Sequence, residues 1–179
     1  MVIDKMNDTM QTTIIAAIVL FPLIILYRSK NLHRETSKNK PKWSIYLLVA
    51  FMGIILNGFF SYLMELLRIT ERFSNVAQDN LLSGQLIVQL LGLGVLIPIT
   101  EELLFRGLFY SYLKKYMPWQ AAMLLGAFVF AVYHGNMIQI IFAFPMGIII
   151  TLLYQKWNAI TIAIVFHAAS NLAAILFAL

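Results

Sequence analysis

The sequence predicts an all-α fold, a polytopic transmembrane helical bundle of about six spans. Three observations predict it. Hydrophobic residues make up 61% of the 179 and charged residues only 12%, with a mean hydropathy of +0.82; soluble domains average roughly 45–50% apolar and 25% charged. Apolar runs close to the ~20 residues needed to cross a bilayer core recur along the chain. Basic residues gather at the ends of those runs and form no stripe, so the formal net charge of +5 points to no nucleic acid. The partner the composition does imply is the lipid bilayer. There is no cysteine, which excludes disulfides and thiolate metal sites.

The first span runs roughly from Thr12 to Tyr27. Basic residues follow it more densely than they precede it and no small-residue cleavage site closes it, so it reads as an uncleaved span. The second runs from Trp43 to about Leu67, and a polar connector or surface helix, Arg68 to Gln85, follows. The third starts near Ser83 and continues through a pair of glutamates to about Tyr112. The fourth is Trp119 to His134, the fifth Met137 to Gln155, and the sixth Ala159 to the end. Two stretches result: 1–83, with two spans, a basic loop and the connector, and 84–179, with four spans.

Loop charge sets a direction. Arg28, Lys30, Arg34, Lys38, Lys40 and Lys42 follow the first span, which by the positive-inside rule makes that loop cytoplasmic and the amino terminus external. Alternation then puts Lys114, Lys115 and Lys156 inside, and only Lys5, Arg68 and Arg72 outside.

Against this apolar background the third span carries Glu101-Glu102-Leu103-Leu104-Phe105-Arg106. One charge at the centre of a spanning helix costs roughly 2.5–3.5 kcal/mol on insertion scales, and such groups face a bundle interior or a wet cavity. Glu102 and Arg106, four apart, can pair on one face; Glu101 lies about 100° round the helix and points elsewhere. The fourth span ends Phe130-Ala131-Val132-Tyr133-His134, and the sixth holds His167 and Asn171 on one face. Glu101 and His134 each stand about sixteen residues, ~24 Å, from the turn between their spans, so they can be level.

A carboxylate beside an imidazole in a partly wet, low-dielectric cavity can activate water as a general base. A second imidazole and an amide can donate to the oxyanion formed when water attacks a carbonyl. The same Glu101, His134 and His167 could instead hold a divalent metal such as zinc with an open position. Either scheme is amide or ester hydrolysis within the membrane. Taken singly the groups have plainer readings. Glu102 with Arg106 is also a packing ion pair, His134 an interfacial histidine, and His167 with Asn171 interhelical glue.

Glu-Glu-x-x-x-Arg, Phe-x-x-x-His and His-x-x-x-Asn, in that order on successive apolar segments between Gln85 and Leu179, resemble the CPBP family. That family, also called Abi, joins CAAX proteases with bacteriocin-processing and bacteriocin-immunity proteins. The resemblance implies an intramembrane endopeptidase acting on a membrane-associated peptide or protein, with prenylated or bacteriocin-like substrates among the candidates. It implies Glu101 as the water-activating acid with His134 as partner, His167 and Asn171 at the oxyanion, and Glu102 with Arg106 as structural and electrostatic support. Metal dependence stays open between a glutamate and a metallo mechanism. The alternative it implies is a bacteriocin self-immunity protein, acting by binding or by proteolysis of the bacteriocin or its receptor. A compact chain of this kind resembles bacterial plasma-membrane members.

Overall fold

The computed structural model describes residues 8–31, 41–73 and 76–179, all helix and connection, with no strand among them. Lys5, Arg34, Lys38 and Lys40 lie outside the described residues. The helices are α1 (Asp8–Asn31), α2 (Trp43–Leu66), the short α3 (Ile69–Arg72) and α4 (Val76–Leu82), α5 (Leu86–Leu113), α6 (Trp119–Tyr133), α7 (Met137–Trp157) and α8 (Ile160–Phe177).

Five of these, α1, α2, α5, α7 and α8, are long and apolar enough to cross a bilayer, so the chain is a multi-pass membrane protein. The expected fourth span is apolar but has only 15 residues. At 1.5 Å per residue it covers ~22 Å, short of the ~30 Å hydrocarbon core. It stops at Gly135, whose positive φ of 70° turns the chain, and Asn136 then caps α7 by accepting from the Gln139 N–H at 3.2 Å. The polar connector is the pair α3 and α4.

Helix α5 departs from regular α geometry in a way the sequence did not announce. Gln89–Leu96 and Leu103–Tyr110 are π-helical, with Ile97–Glu102 α-helical between them. Such i→i+5 segments are rare and gather at functional sites. Here they flank the glutamate pair on both sides. The carbonyls they displace find side-chain donors: Asn171 Nδ2 donates to the Leu93 carbonyl at 2.9 Å, and Ser111 Oγ to that of Arg106 at 3.1 Å.

Helix α8 is central. It packs along α2 most extensively and also touches α5 and α7, while α6 and α7 form an antiparallel hairpin. The α2–α8 approach is close because Gly53 has no side chain; a Cβ there would stand 2.5 Å from the Phe166 carbonyl. Asn57, one turn on, donates to Ser170 Oγ at 3.2 Å. Because the obstacle is backbone, Gly53→Ala is expected to push α2 off α8 and to cost about 1–3 kcal/mol, the usual range for overpacking. Thermal unfolding of the detergent-solubilised protein checks this; an unchanged midpoint contradicts it.

Candidate active site

The buried polar groups of the bundle meet where α5, α6, α7 and α8 face one another. Arg106, 2% exposed, is held from three sides. Its Nη1 donates to Glu102 Oε1 at 2.9 Å, its Nη2 to the Gly147 carbonyl at 3.1 Å, and its Nε to Thr151 Oγ1 at 3.4 Å. The guanidinium also lies over the Phe130 ring, 4.3 Å from the centroid. One side chain thus ties α5 to α6 and α7, and the expected Glu102–Arg106 pair is there. Glu102 is wholly buried, and its Oε2 has no hydrogen-bond partner among the described residues.

Glu102 also holds a histidine. Its Oε1 accepts from His167 Nδ1 at 2.8 Å, so that nitrogen carries a proton and the ring turns Nε2 away from Glu102. His167 Nε2 stands 3.7 Å from Glu101 Oε2. The imidazole at ion-pair distance from Glu101 is therefore that of His167. Glu101 and Glu102 point in different directions, as helix geometry predicts, and His167 spans both. His134 sits at the end of α6 with Nδ1 donating to the Phe130 carbonyl at 2.9 Å, which leaves Nε2 free. Asn171 gives one amide hydrogen to Leu93 and keeps a second.

Phe130, the first residue of the Phe-x-x-x-His motif, is an aromatic hub beside these groups. Its ring meets His134, His167 and Phe105 edge-on, at 4.9, 5.8 and 5.1 Å between centroids, besides carrying Arg106. Gly147, Thr151 and Asn57 were missed by sequence reasoning. Asn57 had a signal, an amide in an otherwise apolar span. The carbonyl of Gly147 had none.

Glu101, His134, His167 and Asn171 all line one cavity of about 480 Å³. Its remaining wall is mostly apolar, with Asn57, Ser61 and Ser170 adding a polar strip from α2 and α8. The cavity thus draws on both stretches into which the sequence divides. A cavity that brings a carboxylate and imidazole nitrogens to an apolar chamber can accept a proton from water and orient a carbonyl. As a metal centre the set is incomplete: Glu101 and His167 are adjacent, but among the described residues no group of three or more His, Cys, Asp or Glu side chains stands together to hold an ion.

Fold and site together define a polytopic membrane protein with an acid–imidazole cavity inside its helical bundle. The chain belongs to the Rce1-like type II CAAX prenyl endopeptidase family, which residues 83–173 match. It is also 30% identical over 167 residues to the UPF0177 protein YxdF of Lactococcus lactis subsp. lactis (strain IL1403), covering 87% of this chain and 89% of that one. No solved structure matches it.

Proposed function

We propose that the protein is an intramembrane endopeptidase that hydrolyses a peptide bond of a membrane-associated peptide or protein with a water activated by Glu101. The observation that carries this reading is the meeting of Glu101, His134, His167 and Asn171 on one cavity inside the bundle. Membership of the family supports the reaction class.

In this reading Glu101 takes a proton as the water oxygen bonds to the scissile carbonyl carbon, and the free Nε2 of His134 accepts from the water's other hydrogen. The second amide hydrogen of Asn171 donates to the oxyanion. Collapse of that intermediate breaks the C–N bond, and the proton held by Glu101 passes to the leaving nitrogen. His167 beside Glu101 can share that proton; the Glu102 carboxylate on its other nitrogen offsets the charge this creates. No serine or cysteine is needed, and no acyl-enzyme forms. No step in this reading passes through a metal.

The test is hydrolysis of apolar membrane peptides by the purified protein in proteoliposomes, before and after exhaustive chelation. Cleavage that survives chelation is expected. Loss on chelation with recovery on adding zinc would contradict the metal-free mechanism, and no cleavage of any peptide that accumulates uncut in cells lacking the protein would contradict the endopeptidase reading.

A further inference from the structure

We propose that the cavity opens at the extracytoplasmic end of the bundle, so that its substrate is a peptide segment presented outside the cytoplasm or in the outer leaflet. For what it says about substrate, this rests on the endopeptidase reading; the orientation itself does not.

The lining residues lie toward one end of most of the helices that contribute. On α2 they are Asn57, Ser61 and Met64, all in the second half; on α1 the contributor is Thr12, near the start. On α5 lining stops at Glu101, twelve residues before the helix ends. Only the last turn of α6 takes part, with His134, and on α7 lining begins in the first turn, with Ile138 and Gln139, and reaches Ile150. The half of α8 from His167 onward completes it, and Leu81 and Leu82 of the connector line it at that end. The shallow end of this lining adjoins the connections α2–α5 and α6–α7 and the two chain ends, and its deep end reaches Glu101, Ile150 and His167.

The opposite end carries the cytoplasmic signature. Nine of the thirteen lysines and arginines fall in or beside the connections α1–α2, α5–α6 and α7–α8, with one of the eight acids. Three basic and five acidic residues fall at the cavity end. Lysine and arginine bias across short loops sets orientation, and acids contribute little. All three tryptophans, Trp43, Trp119 and Trp157, also stand at the basic end, where aromatic side chains mark an interface. Starting from that interface, α6 at ~22 Å ends within the far half of the bilayer. Non-helical backbone at that depth, here Gly135 and Asn136, is tolerated where protein buries it or a wet cavity receives it. Water and a peptide carbonyl therefore have a route from the external side, and α5 to α8 pack over the basic end.

The chain has no cysteine, so single cysteines can be labelled without background. Met64→Cys and Gln139→Cys place one at the mouth; Ser44→Cys and Tyr116→Cys place one at the basic end. Intact cells are treated with a membrane-impermeant maleimide, with and without permeabilisation. The expected result is labelling of both mouth cysteines in intact cells, at least 10-fold above Ser44→Cys and Tyr116→Cys, which react only after permeabilisation. The reverse pattern, or mouth cysteines unreactive under both conditions, overturns the proposal. Labelling reads no cleavage, so an inactive protein with the expected pattern sinks only the endopeptidase reading, and a cleaving protein with the reverse pattern sinks only the orientation.

Discussion

Glu101→Gln is expected to lower cleavage by about 10²–10⁴-fold, the usual contribution of a positioned general base, while the protein still accumulates and unfolds at the wild-type temperature. The substitution keeps the shape of the side chain and removes the proton acceptor. The stability expectation follows from the surroundings. Glu101 touches His167 at 3.7 Å, beyond hydrogen-bond length, and faces the cavity rather than the Arg106 network. Nothing structural hangs on its charge. A variant that loses activity only because it misfolds would contradict this division, and so would one that cleaves at the wild-type rate.

Arg106→Ala is expected to do the opposite damage first. Removing one partner of a buried pair leaves the other charge uncompensated and costs about 3–5 kcal/mol. Glu102, with no exposed surface, has no water to turn to; Thr151 loses its donor, and the Gly147 carbonyl keeps only the Thr151 hydroxyl. Arg106→Lys should recover little, because one ammonium cannot reproduce the fork that reaches α5 and α7 together. The double variant Glu102→Leu with Arg106→Met separates stability from activity. Apolar replacement of a whole buried pair is often neutral, so its unfolding temperature should lie well above that of Arg106→Ala. Cleavage should stay low, since His167 has lost the acceptor that fixes its Nδ1 proton. A double variant that is both stable and fully active would remove Glu102 from the site's working parts.

The contrast between the two glutamates was legible in the sequence because it rests on rotation about one helix axis. Four-residue spacing put Glu102 with Arg106, and a 100° step sent Glu101 elsewhere; both hold even though π-helical turns follow at Leu103. The bundle was legible too, since it needs only apolar length. What spacing along one helix cannot give is the partner across a gap. Level counting put His134 on Glu101's cavity, yet the imidazole nearest Glu101 belongs to α8, because Glu102 draws His167 in by its other nitrogen. Backbone groups leave no trace either: the Gly147 carbonyl that accepts from Arg106 and the Leu93 carbonyl that takes Asn171 could not be read from side-chain types. The π segments were hidden as well; they lie where α5 packs on α1 and α8. The short α6 could have been suspected by counting, as Trp119 to His134 is already fewer residues than a span needs.

The most direct measurement compares the peptides of cells that produce the wild-type protein with those of cells that produce Glu101→Gln at equal level, by mass spectrometry of the membrane fraction and the medium. The account predicts at least one membrane-associated peptide or protein that accumulates uncut with Glu101→Gln and appears with a new terminus in the wild type, the same bond being cut by the purified protein. Identical termini in the two samples, with both proteins folded and present, would contradict it.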